Sequence, residues 1–160
     1  MKDNNLNVLI RLVRKSDLVK LAKIYKDIYN AEGQKWSIKT ATKFLDYFYK
    51  NQKNLFFVAE LNKKVVGSAS GLVKVFDLGN DLTDVELFVD PKVHNKGIGK
   101  KLLTTLLKSA IKKCNVLDIQ GIADNSKKFP MKWYSKIGLK KTKWIHICGN
   151  AKEILKNLKK

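Results

Sequence analysis

The chain has 160 residues, 44% of them apolar, and sets 33 Lys and Arg against 14 Asp and Glu for a formal net charge of +19. This length suits one domain spanning residues 1–160, able to hide roughly two-thirds of its unfolded surface, and the apolar content excludes a disordered chain. No run of about 18 uncharged apolar residues exists, so no membrane-spanning helix is expected.

The elements follow in order. Val8 to Val13, VLIRLV, reads as a strand. Ser16 is a candidate N-cap and Asp17 puts negative charge at a helix start. Leu18, Leu21, Ala22, Tyr25, Ile28 and Tyr29 then recur at helical spacing. Asn30 to Gly33 ends that helix. A second helix begins near Ser37 and runs through Ala41, Phe44, Leu45 and Phe48 to Asn51. Leu55 to Leu61 and Val65 to about Phe76 are strands joined by the turn Asn62-Lys63-Lys64, with a bend expected at Gly67 or Gly71. Asp77 to Asp81 is a turn, and Leu82 to Val89 the next strand. Gly97 to Lys113 is a helix, Val116 to Ile122 a strand, and Pro130 to Lys136 a short helix ended by Gly138. Leu139 to Ile147 reads as a strand and Ala151 to Leu158 as a last amphipathic helix. Three consecutive strands followed by a strand–helix–strand crossover imply an α/β mixed sheet, mostly antiparallel, with helices on both faces.

Charge and cysteines narrow the function. A surface this basic attracts nucleic acid or anionic membrane. Yet only two arginines occur, Arg11 and Arg14, and arginine is the planar reader of phosphate and guanine. The abundance of Lys, Asn and Ile matches the codon bias of an AT-rich genome, so dedicated nucleic-acid binding is not expected. Cys114 and Cys148 have no metal-like spacing and read as reduced structural thiols. The N-terminus, MKDNNLNVLIRLVRK, lacks a signal-peptide core, and a cytoplasmic location is expected.

One stretch carries chemistry. His94-Asn95-Lys96-Gly97-Ile98-Gly99-Lys100 follows a strand and opens a helix. The first N–H groups of a helix have no internal partner and stand at the positive end of its dipole. Glycines let a phosphate approach, and lysines add charge, so this loop suits an anion. It is neither a Walker loop nor a dinucleotide G-x-G-x-x-G.

The stretch ELFVDPKVHNKGIGKKLL resembles the acyl-coenzyme A signature, R/Q-x-x-G-x-G/A, of the GNAT superfamily of N-acetyltransferases. The resemblance extends to Ile10-Arg11 with Ser16-Asp17, to VAELNKKVVGSASG at 58–71, and to WYSKIGLKK at 133–141. It implies the GNAT fold, with a splayed pair of parallel strands, and acetyl-CoA as co-substrate without a metal. The pyrophosphate would rest on His94 to Lys100, with His94 replacing the usual Arg or Gln, and the pantetheine would run beside Leu87, Phe88 and Val89. Asn125, next to Ser126, is the candidate for a further coenzyme contact, although the spacing from Asn125 to Tyr134 is two residues longer than usual. Tyr134 would be the acid that meets the coenzyme sulfur.

Attack by an amine needs a base. Glu86, in an apolar strand before the coenzyme segment, is the first candidate. Asp84, Asp81 and a water relay are alternatives, and some family members place their base at the position of Thr83. Regular alternation would put Glu86 and Asp84 on the face opposite Leu87 and Val89, unless a bulge changes the phase. The window DLGNDLTDVELFVD holds five acids and no lysine, which suits a cationic acceptor. Asp81 and Asp84 belong to it, and Glu32 and Trp36, with Tyr29, form the expected acceptor wall. The acceptor so implied is a small polyamine-like amine, and the ELFVDP strand with its upstream acids is similar to aminoglycoside 6'-N-acetyltransferases, a resemblance that implies an aminoglycoside-like amine. A protein N-terminus or lysine, as on a ribosomal protein, is the second reading, and a nucleic-acid-binding protein on a degenerate coenzyme fold the third. Relatives are often homodimers, but no segment predicts an interface.

Overall fold

The structure, a computed structural model, describes residues 7–123, 130–143 and 145–158. It divides into two compact units, 1–121 and 122–160. The first is built on a five-stranded sheet in the order β1 (Val8–Leu12), β2 (Phe56–Leu61), β3 (Lys64–Phe76), β4 (Gly79–Val89) and β5 (Val116–Ile119). The first four strands are antiparallel neighbours, and β4 and β5 run parallel. Helices α1 (Leu18–Ala31) and α2 (Ile38–Gln52) pack on one face, and α3 (Ile98–Cys114) on the other.

The helical spacing read in the sequence becomes these two cores. Leu18, Leu21, Ala22 and Tyr25 of α1 and Ala41, Leu45 and Phe48 of α2 meet Phe56, Val58, Leu72 and Phe88 of the sheet. Across the sheet, Ile98, Leu102, Leu106 and Ala110 of α3 meet Phe57, Ala59, Ala69, Leu82 and Val116. Helix α2 starts as a capping box, with the Ser37 hydroxyl accepting from the Thr40 N–H and the Thr40 hydroxyl accepting from the Ser37 N–H.

The start of α1 departs from expectation. Ser16 is not its cap. Residues Lys15–Asp17 form a 3₁₀ turn, and Asp17 stands at the N-cap, 3% exposed. Its carboxylate accepts from the Arg11 guanidinium at 2.7 and 3.0 Å and from the Arg14 N–H at 2.8 Å. Arg11 also donates to Glu60 at 3.0 Å. Burial pushes the Asp17 carboxyl up, but the Arg11 and Arg14 hydrogen bonds outweigh it and hold it below the usual carboxylate value. A carboxyl depressed in the fold adds stability above its unfolded pKa and loses it as pH falls through the folded one. Asp17→Asn is therefore expected to cost about 2–3 kcal/mol at neutral pH. Its gap to the parent should narrow in acid, as urea unfolding at pH 7 and pH 3 would show.

The β2–β3 turn is Asn62-Lys63, both with positive φ (50° and 62°), which matches a tight hairpin. The β3–β4 connection shortens to Asp77-Leu78, because β4 begins at Gly79 rather than Leu82. The extra strand residues are held by β5 through the Asn80–Val116 pair and by the Asn80 side chain, which donates to the Cys114 carbonyl at 2.7 Å. Both glycines stand beside an irregularity: the β2–β3 register shifts between Val65 and Gly67, and the β3–β4 register slips between Ser70 and Leu72.

In the second unit, α4 (Met131–Lys136) ends at Gly138, whose φ is +100°, and α5 (Ala151–Asn157) is capped by Asn150. The strand expected from Leu139 to Ile147 is not formed among its described residues. Apolar and β-branched residues such as Ile145 and Ile147 favour a strand, but a strand also needs a ladder partner.

Candidate active site

The phase of β4 decides what the site can contain. Ser70 pairs with Glu86 and Leu72 with Thr83, so β4 spends one residue more than β3 between these pairs. The extra residue is absorbed at Asp84, whose φ is +50°. This is a β-bulge. Before it, Leu82 faces α3. After it, Val85, Leu87 and Val89 face α3, while Phe88 faces α1 and α2. Glu86 therefore shares the Phe88 face, and Asp84 does not accompany it. Asp84 is turned outward and paired with Lys74 at 2.7 Å.

The same bulge sets the backbone. The Leu82 carbonyl accepts from the Gln120 N–H at 2.8 Å, on the β5 side. Pairing between β4 and β5 stops there, since Leu82–Ile119 is the last pair and β5 ends short of the expected Ile122. Beyond the bulge, the Asp90 N–H donates to Val66 of β3 at 2.8 Å, so the even positions turn their peptide groups toward β3. By alternation, Leu87 and Val89 turn theirs to the unpaired side. Phe88, expected with them in the coenzyme segment, is different: its peptide groups face β3 and its ring packs 5.2 Å from Tyr25.

The anion loop stands at the end of this open edge. Asn95 and Gly97 have φ of +60° and +71°, and Gly97 is the N-cap of α3. A Cβ added at Gly97 or Gly99 would meet nothing within 4 Å, so the loop leaves room for a ligand group. Ile98, Gly99 and Lys100 bring first-turn N–H groups, and Lys96 and Lys100 are exposed cations. His94, itself exposed, turns its ring back to the strand: its Nε2–H donates to the Val89 carbonyl at 2.8 Å, at the end of the open edge. The Leu87 and Val89 N–H groups and the Leu87 carbonyl remain for an extended ligand arm. The loop thus offers N–H groups and cations suited to an anion, and the edge offers main-chain groups suited to an extended chain.

Glu86 is the carboxylate beside that edge. The Tyr29 hydroxyl donates to its Oε2 at 3.1 Å, and Tyr25 lies against both. Burial pushes the Glu86 carboxyl up to about 7, and the Asp84 charge adds to this, while the bonds from Tyr29 and Tyr25 hold it down. Both tyrosine hydroxyls are pushed upward by burial and by the Glu86 charge, so they stay protonated donors. Tyr25 also stacks near Trp36 (5.2 Å) and Phe44 (5.3 Å), giving Glu86 an aromatic surround. The α1–α2 loop presents Trp36 firmly: Asn30 bonds both its N–H (2.7 Å) and its carbonyl (3.0 Å). Exposed Glu32 caps the end of α1, and its charge acts on Tyr29.

The acidic window does not converge as a cluster. Asp81 is 8% exposed and accepts from the Gln120 side chain, Asp84 pairs with Lys74, and Asp90 accepts from the Lys92 N–H. The base alternatives Asp81 and Asp84 therefore have other partners, whereas Glu86 meets only tyrosine hydroxyls among the described residues. Thr83 lies on the Glu86 face, its hydroxyl 3.4 Å from the Leu72 carbonyl. Tyr134 is a half-buried residue of α4 with its ring 5.4 Å from that of Trp133, and Asn125 and Ser126 lie outside the described residues. The function of Tyr29 as a donor to Glu86 is not evident from its helical spacing, which marks it as a core residue.

A parallel pair that parts beyond Leu82, a bulged strand with the half-buried Glu86 and a glycine-opened helix are the features set beside known proteins. The model of the acetyltransferase (GNAT) family matches residues 19–138. The chain belongs to the GNAT acetyltransferases. It is thus an acyltransferase. A search among curated proteins finds no significant match. Among solved structures, the GNAT chain is similar to a possible acetyltransferase from Clostridium difficile 630, with TM-score 0.75 and 19% identity over 90% of this chain and 97% of that one. It is also similar to a predicted acetyltransferase from Clostridium acetobutylicum solved with acetyl-CoA (TM-score 0.71, 22% identity, 88% and 96% covered). An aminoglycoside acetyltransferase from an uncultured soil metagenomic sample, in complex with trehalose, matches with TM-score 0.66 and 22% identity over 93% and 99%. At these identities the likeness establishes the GNAT fold. No helix among the described residues is long and apolar enough to cross a membrane.

Proposed function

We propose that the enzyme moves an acetyl group from acetyl-CoA to a primary amine of a small cationic acceptor, polyamine-like or aminoglycoside-like, by direct attack in a ternary complex. The observation that carries this is Glu86: a half-buried carboxylate, its pKa pushed up to about 7, on the strand whose next residues form the open edge. A base titrating near neutrality can take a proton from an ammonium or an attacking amine and is suited to pH 7.

In this reading the pyrophosphate lies on the N–H groups of Ile98 to Lys100, with Lys96 and Lys100 beside it, and the pantetheine adds to β4 at Leu87 and Val89. A β4 N–H stabilises the oxyanion as the amine nitrogen bonds to the thioester carbon. Glu86 takes the amine proton. The C–S bond then breaks, and Tyr134 gives its proton to the departing thiolate. The acceptor enters past Trp36 and Glu32, which supply an aromatic wall and a negative charge, while Asp84 adds to the field and no direct contact is required of it. The similarity to an aminoglycoside acetyltransferase supports the acceptor class.

Coenzyme thiol release measured over a panel of amines tests the acceptor. Polyamines or aminoglycosides should outpace N-terminal and lysine peptides, and a peptide preference would contradict the proposal. Tyr134→Phe is expected to lower kcat about 10- to 100-fold with coenzyme affinity retained, because a thiolate is already a fair leaving group. Pre-steady-state thiol release and coenzyme titration would read the two quantities separately.

A further inference from the structure

Ser70 has no evident task in packing. It is 1% exposed, and its hydroxyl is the one buried side-chain polar atom without a hydrogen-bond partner among the described residues. Its neighbour in the same S-A-S run behaves differently: Ser68, equally buried, donates to the Phe57 carbonyl at 2.9 Å. Alanine at 70 would fill nearly the same volume without burying an unsatisfied hydroxyl, so sequence and packing alone give no reason for serine. Its position supplies one. Ser70 is the ladder partner of Glu86. Leu72 of the same strand face belongs to the α1–α2 core, as does Phe88 on the Glu86 face, so both side chains project to one side of the sheet. Directly opposed residues of antiparallel strands have Cβ atoms about 5 Å apart, within reach of a serine hydroxyl and a glutamate carboxylate.

We infer that Ser70 is a positioning residue for Glu86, donating its hydroxyl proton as a hydrogen bond to the carboxylate when Glu86 is ionised and ready to accept the amine proton. Tyr29 donates to Glu86 from α1, and Ser70, the ladder partner of Glu86 on β3 with its hydroxyl still unpartnered, would add a donor from a different element once the carboxylate ionises. The serine keeps its proton throughout, and the proton moved in the reaction stays on Glu86. The titratable groups facing Glu86 among the described residues are Tyr25 and Tyr29 from α1 and Asp84 from its own strand, with Glu32 acting on Tyr29. Of these only the tyrosines donate to it, and Ser70 adds a donor that does not itself titrate. The inference rests on the reading of Glu86 as the base, and its test separates the two.

The test titrates the Glu86 carboxyl by carbon-13 NMR in the intact protein and in Ser70→Ala, alongside the pH dependence of thiol release. Loss of a donor to the ionised form should raise the Glu86 midpoint by about half to one pH unit. The acidic limb of the rate profile should shift up by the same amount, with a melting temperature equal to or above the parent. An unchanged NMR midpoint overturns the inference, since a purely structural serine would leave it in place. If the midpoint moves and the rate limb does not follow, the Ser70–Glu86 coupling stands and the assignment of Glu86 as the base falls.

Discussion

Glu86→Gln is expected to lower kcat about 100- to 1000-fold at pH 7, in the range that a positioned general base contributes, while coenzyme affinity stays close to the parent value. Glutamine keeps the shape of the side chain and can still accept from the Tyr29 hydroxyl, so the pocket survives and only proton acceptance is lost. Parent activity should rise with pH through a midpoint near 7, where Glu86 ionises. The variant should lose that limb. The same residue makes a stability prediction of opposite sign. Burial raises its folded pKa above the unfolded value, so the native state binds the extra proton and stability falls as pH rises toward 7. Glu86→Gln removes that penalty, and its melting temperature at pH 8 should exceed the parent's. Rate and stability moving in opposite directions would mark a carboxylate kept for chemistry. Equal rates in parent and variant across pH 6–9 would remove Glu86 from the mechanism.

Gly99→Asp gives a second contrast between stability and binding. Gly99 is the second residue of α3, with no positive φ, and a Cβ added there would meet nothing within 4 Å. An aspartate there faces the positive end of the helix dipole and replaces a helix-weakening glycine, so the fold should hold or gain stability. It also places a carboxylate where the pyrophosphate would sit. Coenzyme Kd is expected to rise about 100-fold or more, from like-charge repulsion and lost approach to the N–H groups. Calorimetric titration with coenzyme A and a melt without ligand would read both effects. Coenzyme affinity equal to the parent's would place the phosphates elsewhere. Gly97 would make a poorer test, since its φ of +71° makes any side chain there a source of strain.

Much of this architecture is legible in the sequence itself. The helical stripes of α1, α2 and α3, the Ser37 cap and the glycine-opened loop each depend on neighbours three or four residues apart, which a sequence displays directly. Glu86 is visible as the acid in an apolar strand. Its orientation is harder to read, because one inserted residue reverses every side chain beyond it. A signal is present: the apolar positions Leu82, Val85, Leu87 and Val89 are spaced by three, then two, then two, and the step of three is the bulge at Asp84. No local pattern could show that Tyr29 donates to Glu86 across 57 residues, or that Asp84 and Asp81 are taken by Lys74 and Gln120. Those pairings depend on which strands become neighbours. Asp17 misleads for the same reason: at a helix start it reads as a dipole partner, yet Arg11 claims it from β1. The expected strand at Leu139 to Ile147 rests on a few apolar and β-branched residues, which do not by themselves provide a pairing edge.

The most direct test of the central claim is a crystal structure of the protein with coenzyme A. Pyrophosphate oxygens are expected on the N–H groups of Ile98, Gly99 and Lys100, pantetheine hydrogen-bonded to Leu87 and Val89, and the thiol on the side where the Glu86 carboxylate and the Tyr29 hydroxyl meet. Coenzyme bound with its phosphates away from the start of α3, or a thiol separated from Glu86 by the sheet, would contradict it.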